Sequence, residues 1–499
     1  MPLSGFSFRW LTAPAGVILL ICLLAFGRVV FHDFVTFDDP HTIFANPHHR
    51  PPAWTGLIEI WSSSSAGLYV PLTRTIWLAG AWVGGATAEL APKPWVFHLL
   101  SLAAHATAGI LVLRLLRRYI DQWAATIGAA LFVAHPLQVE SVAWASGLKD
   151  VMAGMLALGA LNRLVRGNAW SGAIWVLLAM LSKPTAIVAI PMAGVLLLVL
   201  ERRPTREVIR VLLPAAMGVL PLVWIAALAQ ETAGIPRTTP AERLFVAADA
   251  LAWQTGKLVW PVGLALDYGR SPPAVIQAGD WGLVMLILTL AAAATWLGAR
   301  YAGRMVACGA LVWVIGLAPT LGLVPFQWQF RSTVADHYAY SAMIGAGMFC
   351  AGLLGGVSRF SVLSQRAGIA LVGCLAMLSA RQTGFWSNSL TLYQRAIWVN
   401  PKSPLVHNNL GTALAQAGRV AEAIPHFEQA QELHPSDPMS ARNLAMAYWS
   451  LGRPAEAARY ARLSMELHLR AGESADIERE ILRLTTLPAT TQTVPASPP

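Results

Sequence analysis

Three features of the sequence predict an all-α chain: a polytopic bundle of about eleven membrane-crossing helices followed by a short α-solenoid of helical repeats. Apolar runs long enough to cross a bilayer recur down to residue 383, arginine clusters stand at alternate ends of those runs, and the C-terminal part repeats itself at an offset of 34 residues. Composition agrees. Hydrophobic residues make up 56% of the 499 residues and charged residues 12%, against about 25% charged in a soluble domain. A surface so poor in charge must face lipid.

A membrane-crossing helix needs roughly 20 mostly apolar residues. The runs that qualify are 11–31, 95–117, 123–143, 148–166, 169–182, 184–200, 208–229, 281–299, 305–325, 338–356 and 367–383. Arg9 precedes the first, which is long for a signal-peptide core and has no small-residue cleavage pattern after it, so it reads as a retained helix. The stretch 246–264 contains Asp249, Gln254 and Lys257 and is expected to be interfacial or re-entrant.

Arginines orient the bundle. Even-numbered runs end at Arg114, Arg117 and Arg118, at Arg163 and Arg166, at Arg202, Arg203 and Arg206, at Arg300 and Arg304, and at Arg359 and Arg366. Cytoplasmic loops carry the excess of Lys and Arg, so the N-terminus is expected inside and, with an odd count, the C-terminal tail outside. The same topology places 32–94, 230–280 and 326–337 outside. Because the basic residues sit at helix ends, the net charge of +10 reads as orientation and not as nucleic-acid binding.

In the tail, Asn409, Leu410 and Gly411 align with Asn443, Leu444 and Ala445 at the 34-residue offset, and Gly418, Arg419, Ala421, Glu422 and Ala423 align with Gly452, Arg453, Ala455, Glu456 and Ala457. Thirty-four residues is the period of the tetratricopeptide (TPR) repeat. Tyr393, Ala396 and Pro401 match Phe427, Ala430 and Pro435 one step earlier, which adds half a repeat. The organisation expected is a membrane domain over 1–385 with its first outer loop at 32–94, a TPR domain of about two and a half repeats over 386–484, and a disordered Pro/Thr/Ser/Ala tail over 485–499. Stacked helix pairs offer a concave peptide-binding face; a simple cap on the membrane domain fits the pattern as well.

Cys22, Cys308, Cys350 and Cys374 all lie in apolar segments without a CxxC pair and are expected to be small buried hydrophobes. His41, His48 and His49 lack ligand spacing, and no metal is assigned.

Chemistry concentrates in the outer loops. Asp38 and Asp39 follow the first helix directly. A carboxylate there suits a general base for an acceptor hydroxyl, although Asp-Asp-Pro is also ordinary turn chemistry. Trp54, Trp61, Trp77 and Trp82, with Arg74, suggest helices at 55–65 and 71–85 lying at headgroup depth. Lys149, Lys183, Arg237, Arg243, Lys257, Arg270 and Arg331 are cations on the outer side, against the orientation rule. Such a cation can neutralise a phosphate, or it can simply snorkel. Lys149-Asp150 and Lys183-Pro184 stand at helix starts. His98 and His105 share a helix face, and His135 lies near Glu140; intramembrane polar groups are functional candidates, and helix-packing hydrogen bonds account for them equally.

In order, Phe37-Asp38-Asp39-Pro40-His41-Thr42-Ile43-Phe44-Ala45-Asn46-Pro47, Tyr69 to Arg74, Phe97 to Leu113, His135-Pro136-Leu137-Gln138-Val139-Glu140-Ser141-Val142-Ala143-Trp144, Lys149-Asp150, Ser182-Lys183-Pro184, Gly256-Lys257, Trp260-Pro261, Ala335 to Tyr340 and Trp386 to Ser389 resemble the transmembrane and TPR-containing O-mannosyltransferases and their bacterial relatives. The resemblance spans nearly the whole chain. It implies a GT-C-like membrane bundle and an enzyme that moves a sugar from a polyprenyl-phosphate donor to a hydroxyl, with inversion and no certain cofactor beyond that lipid-linked sugar. It implies Asp38 as base with Asp39 supporting it. Lys149, Lys183 or Arg331 would hold the lipid phosphate on physical grounds. Arg74, His98, His135, Glu140, Asp150, Asp336 and His337 are further candidates. The family usually reads Asp-Arg-Tyr where this chain has Asp336-His337-Tyr338. Expected partners are membrane lipid, the lipid-linked sugar and a protein or peptide acceptor held by the repeats. The expected location is a bacterial inner membrane with the tail periplasmic. Transfer to a lipid or cell-surface glycan, or an inactive scaffold that recruits partners through its repeats, are the alternatives; a transporter would want charge near helix midplanes.

Overall fold

The computed structural model describes residues 14–230, 238–356, 361–472 and 474–485. Arg9, Arg237, Arg359 and the tail after residue 485 lie outside the described residues. Among those described, the chain is all-α, with no strands and only two isolated bridges, His49–Pro52 and Ser65–Leu68. It divides into two compact units. One comprises Met1–Phe34, Asp39–Leu264 and Arg270–Ser387, and the other Val35–Asp38, Ala265–Gly269 and Asn388–Pro499.

In the first unit every expected apolar run contains helix, but not every run is helical throughout and the helices differ in length. Pro14–Phe31, Pro94–Leu116, Trp281–Ala302 and Val362–Trp386 are each long and apolar enough to cross a membrane, and the pair Thr205–Gly218 and Leu220–Ala229, bent by 42°, makes a fifth candidate. Gln122–Ala134, Ala169–Ser182, Pro184–Leu200, Arg304–Thr320 and Met343–Gly356 are shorter apolar helices. The chain is a multi-pass membrane protein.

Several expected runs change on inspection. Run 123–143 is not one helix. It ends at Ala134, turns through a 3₁₀ segment Pro136–Gln138 and resumes as Val139–Ala143, because Pro136 has no N–H and disfavours helical backbone in the residue before it. The stretch around 246–264 is an ordinary 20-residue helix, Pro240–Val259, opened by a capping box in which Thr239 accepts from the Glu242 N–H and Glu242 accepts from the Thr239 N–H. Within it Asp249 is buried and paired with Arg270 at 2.5 Å. The loop helices run Thr55–Ser62 and Pro71–Val83. Trp54, Trp61 and Trp82 are exposed as interfacial anchors would be, but Trp77 is buried with Ile43, Phe97 and Leu148, so it belongs to the packing of the loop and not to a membrane surface. Cys22 and Cys308 are buried, but Cys374 is exposed on an apolar helix.

The second unit holds the repeats. Ser389–Val399 is the half repeat; Pro404–Gln416 with Val420–Leu433, and Pro438–Ser450 with Pro454–Ala471, are the two full pairs; Asp476–Thr485 follows. Gly418 and Gly452 turn each pair at φ +76° and +70°, a left-handed conformation that glycine adopts without steric cost. Two short segments of the preceding chain join this unit. Thr36 is bonded to Ser389 Oγ through its backbone N–H at 2.9 Å and its hydroxyl at 3.1 Å, and Asp267 accepts from Ser403 Oγ at 2.5 Å. Asp38 therefore belongs to the same compact unit as the repeats.

Candidate active site

The two neighbouring aspartates are in different environments. Asp39 is fully buried, and its Oδ1 accepts from the backbone N–H of Ser146 at 3.0 Å and from Ser146 Oγ at 2.5 Å. Having donated its hydroxyl hydrogen, Ser146 Oγ accepts from Thr42 at 2.5 Å. Asp38 is half-buried. One aspartate is thus committed to a backbone amide and a hydroxyl, while its neighbour is partly accessible.

Ser146 lies in the 3₁₀ turn Ala145–Gly147 that feeds the helix Leu148–Leu164. A Cβ on Gly147 would stand 2.4 Å from the Ser141 carbonyl, so only glycine permits this close approach. The first helical turn then carries Lys149 and Asp150, both buried. Lys149 Nζ lies 4.6 Å from the ring centroid of Trp144. Asp150 accepts from Lys183 Nζ at 2.5 Å, and Lys183 is placed by the break between Ala169–Ser182 and the 3₁₀ segment Pro184–Val188. Lys149 stands within electrostatic reach of both partners.

His337 completes the group. Its backbone N–H donates to Glu140 Oε2 at 3.1 Å and its Nδ1 lies 2.8 Å from Glu140 Oε1. Because a carboxylate accepts, Nδ1 carries the hydrogen. The ring meets Tyr338 edge-on at 4.6 Å and Trp144 at 6.0 Å between centroids. Asp150, Lys183, His337, Tyr338, Tyr340 and Ser341 are among the residues lining a narrow cleft. Four candidates of the sequence (Glu140, Asp150, Lys183 and His337) thus meet around one cleft, with Lys149 beside them. Among the described residues no three His, Cys, Asp or Glu side chains are gathered as metal ligands.

Other candidates are engaged elsewhere. Arg74 is buried, and its Nη1 donates to the carbonyls of Ile60 at 3.2 Å and Ser63 at 2.8 Å, which fastens the end of Thr55–Ser62. Both ring nitrogens of His135 are committed, Nδ1 accepting from Leu137 N–H at 3.2 Å and Nε2 donating to the Leu258 carbonyl at 3.0 Å. His98 is buried with its ring centroid 6.2 Å from that of His32. His105 bridges Tyr340 and the Val133 carbonyl at 2.9 and 3.1 Å, a packing role. Asp336 is buried. Arg331 is exposed, lies over Trp328 and Phe330, and is not among the cleft-lining residues. Ser146, Thr42 and Tyr338 are the side chains that sequence reasoning missed. The Ser146-Gly147 pair before a helix start was the available signal.

In the second unit a groove is lined by Gln394, Ile397, Leu410, Leu414, Arg419, Glu422 and His426.

Residues 402–470 match the tetratricopeptide-repeat family model. Among solved structures, ArnT from Cupriavidus metallidurans bound to undecaprenyl phosphate aligns over 91% of this chain and 80% of its own, at 14% identity and a TM-score of 0.43. The apo oligosaccharyltransferase of Archaeoglobus fulgidus aligns over 79% and 57%, at 15% identity and a TM-score of 0.39. Among curated proteins, protein O-mannosyl-transferase F38B6.6 of Caenorhabditis elegans is 24% identical over 82% of this chain, and protein O-mannosyl-transferase TMTC4 of Homo sapiens is 22% identical over 86%. This chain spans 61% of the first and 67% of the second. Similarity to protein O-mannosyl-transferases thus runs over more than four-fifths of this chain, whose C-terminal part also matches the tetratricopeptide-repeat model.

Proposed function

We propose that the protein is a GT-C glycosyltransferase that transfers a sugar, mannose, from a polyprenyl-phosphate donor to a hydroxyl acceptor, Ser or Thr of a protein, on the extracytoplasmic face and with inversion. The observation that carries this reading is the similarity to two protein O-mannosyl-transferases over more than four-fifths of the chain, joined to a cleft lined by Lys183, Asp150 and His337, with the buried Lys149 nearby. In this reading Asp38 takes the acceptor proton. Asp39, held by Ser146, supports it. Lys149 and Lys183 neutralise the departing lipid phosphate, with Arg331 as an outer cation that attracts it.

The topology that goes with this function is eleven crossings in a bacterial inner membrane, with the N-terminus cytoplasmic. The membrane domain extends over 1–385, the TPR domain over 386–484, and a disordered tail over 485–499. The repeats bind the acceptor polypeptide, and the groove lined by Leu410, Leu414 and Ile397 is the surface for it.

The test is transfer of radiolabelled mannose from a polyprenyl-phosphate donor to extracytoplasmic proteins in membranes containing the protein. Asp38→Asn is expected to abolish incorporation with normal expression. Unchanged incorporation in that variant, together with a phenotype on deleting the repeats, would establish a scaffold instead.

A further inference from the structure

Three helices, Pro94–Leu116, Leu148–Leu164 and Pro184–Leu200, pack together and finish at the end of the bundle away from the cleft. Lys149 and Arg163 stand at opposite ends of Leu148–Leu164, roughly 20 Å apart at 1.5 Å per residue. Segments 114–121, 163–168 and 201–210 carry nine arginines and three carboxylates, and all three carboxylates are engaged. Glu201 laces the helix ends together: its Oε1 accepts from Arg118 Nε and from the Tyr119 hydroxyl, each at 2.8 Å, and its Oε2 from Arg203 Nε at 2.7 Å. Arg203 continues to the Val165 carbonyl through Nη2 at 2.7 Å and to Glu207 through Nη1 at 2.9 Å. Asp121 accepts from the backbone N–H groups of Trp123 and Ala124 at 2.9 and 3.0 Å. Arg166, Arg202 and Arg206 are exposed, and among the described residues no carboxylate pairs with them.

The backbone at Arg202 is a second, independent observation. The N–H of Arg203 reaches back to the Leu197 carbonyl and that of Glu201 to the Leu196 carbonyl, each at 3.0 Å, and Arg202 turns the chain between them at φ +51°. Glycine usually fills such a left-handed position after a helix, because a Cβ there is strained. This chain holds an exposed arginine in it. Orientation in the membrane asks only for cations near a helix end, and Arg203 and Arg206 already supply them, so it does not account for an arginine at this strained position.

Apolar surface continues from these cations. Arg206, Ile209, Leu213 and Met217 recur every three or four residues, which places them on one face of Thr205–Gly218, and all four are exposed. That helix packs on Ala169–Ser182, where Trp170 and Ile174, four and eight residues after Arg166, are exposed as well.

We propose that this end of the bundle is a seat for an anionic phospholipid: Arg202 and Arg206, with Arg166 next to the Arg203–Val165 bond, donate charge-assisted hydrogen bonds to the headgroup phosphate, and the acyl chains lie along the exposed face of Thr205–Gly218. The guanidinium fork matches a phosphate, and basic clusters between membrane helix ends recognise anionic headgroups. Charge selects the lipid. A phosphatidylcholine headgroup brings its own cation into a cluster that already has positive charge in excess, whereas phosphatidylglycerol brings only the anion. This seat lies outside the cleft and does not depend on the donor reading.

Native mass spectrometry of the full chain in detergent, titrated with phosphatidylglycerol and with phosphatidylcholine of the same acyl chains, tests this, alongside unfolding temperatures by tryptophan fluorescence. Wild type is expected to prefer phosphatidylglycerol by about 5-fold or more. Arg202→Gly should weaken phosphatidylglycerol binding about 5-fold, the contribution of one basic residue at an anionic surface. Its lipid-free unfolding temperature should be unchanged or raised, because glycine relieves the left-handed backbone. Arg300→Gln, which removes an exposed arginine from the end of Trp281–Ala302, should leave the preference as it is; an equal loss there would assign the effect to net charge and overturn the seat. Equal affinity of the wild type for both lipids, or full phosphatidylglycerol affinity in Arg202→Gly, overturns it as well. Displacement of the lipid by inorganic phosphate would mark a free-anion site instead and overturn the lipid assignment. Should Arg202→Gly not fold, Arg206→Gln decides by the same criterion.

Discussion

Ser146 grips Asp39 with two atoms of one residue, its backbone N–H at 3.0 Å and its hydroxyl at 2.5 Å, across 107 residues of sequence. That arrangement gives the two loop aspartates different surroundings, and the difference can be measured. Ser146→Ala removes one hydrogen bond to a buried carboxylate and should cost about 1.5–3 kcal/mol of stability. Asp38→Asn should reduce transfer by at least about 100-fold, the scale of a lost general base. Thermal unfolding and initial rates on the same preparations check both. A stable Ser146→Ala protein with full activity would show that the Asp39 contact contributes nothing.

Lys183 and Asp150 form the second buried contact. Removing one member of a buried ion pair leaves a charge without compensation and typically costs about 3–5 kcal/mol. Asp150→Asn and Lys183→Met should each lower the unfolding temperature markedly, and the double variant should lose clearly less than the sum of the two, since neighbours couple. Strict additivity in this cycle would mean that the pair does not interact. Polyprenyl-phosphate binding should fail in Lys183→Met and in the double variant alike, because the lysine is absent from both.

The bundle was legible in the sequence because a bilayer demands long apolar windows; each window holds helix, but among the described residues only four helices, or five with the bent pair, are long and apolar enough to cross a membrane. Its site was only half legible. Lys149-Asp150 and Lys183-Pro184 stood out as charges at helix starts, but nothing in the local pattern pairs Lys183 with Asp150, 33 residues away, or His337 with Glu140, 197 residues away. Those partners are chosen by how helices cross and not by hydrophobic period. The partners of Arg74 and His135 were hidden for the same reason. Both are buried polar residues with every appearance of function, yet they serve the backbone carbonyls of Ile60, Ser63 and Leu258. The break at Pro136 was visible in the residue itself, and the apolar run on both sides concealed it.

Acid should release the last helix of the repeat unit. Glu478 is buried in Asp476–Thr485; its Oε1 accepts from Arg442 Nε at 2.6 Å and from Ser464 Oγ at 2.7 Å, with His468 Nδ1 at 3.4 Å. Burial pushes its carboxyl up, but the hydrogen bonds from Arg442 and Ser464 outweigh this and hold it below the ordinary value of 4.5. A group depressed in the folded state stabilises fully above its unfolded value and loses that contribution as pH falls through the folded one. Hydrogen exchange over residues 476–485 should therefore be slow above about pH 5 and accelerate below pH 4.5. Glu478→Gln should exchange fast at neutral pH and show no acid step. An unchanged acid step in that variant would assign it to another group.

Small residues let the membrane helices touch, and one crossing tests how closely. A Cβ on Gly345 would stand 2.3 Å from the Trp313 amide nitrogen and 2.4 Å from the Gly309 carbonyl, and one on Gly309 would stand 2.5 Å from the Phe349 nitrogen. All of these are backbone atoms, so neither helix can yield by turning a side chain. Lipid tails are as apolar as the helix faces, which leaves close packing of small residues to hold membrane helices together. Gly345→Ala and Gly309→Ala should each destabilise by about 1–3 kcal/mol, the range for overpacking, and Gly345→Leu should abolish recovery of folded protein. Gly373, with nothing within 4 Å of a Cβ, is the control; Gly373→Ala should be neutral or stabilising by up to about 1 kcal/mol through helix propensity alone. Fluorescence-detected size exclusion after a heat step separates the two outcomes. Equal thermal shifts for Gly345→Ala and Gly373→Ala would mean that the helices do not meet at this crossing.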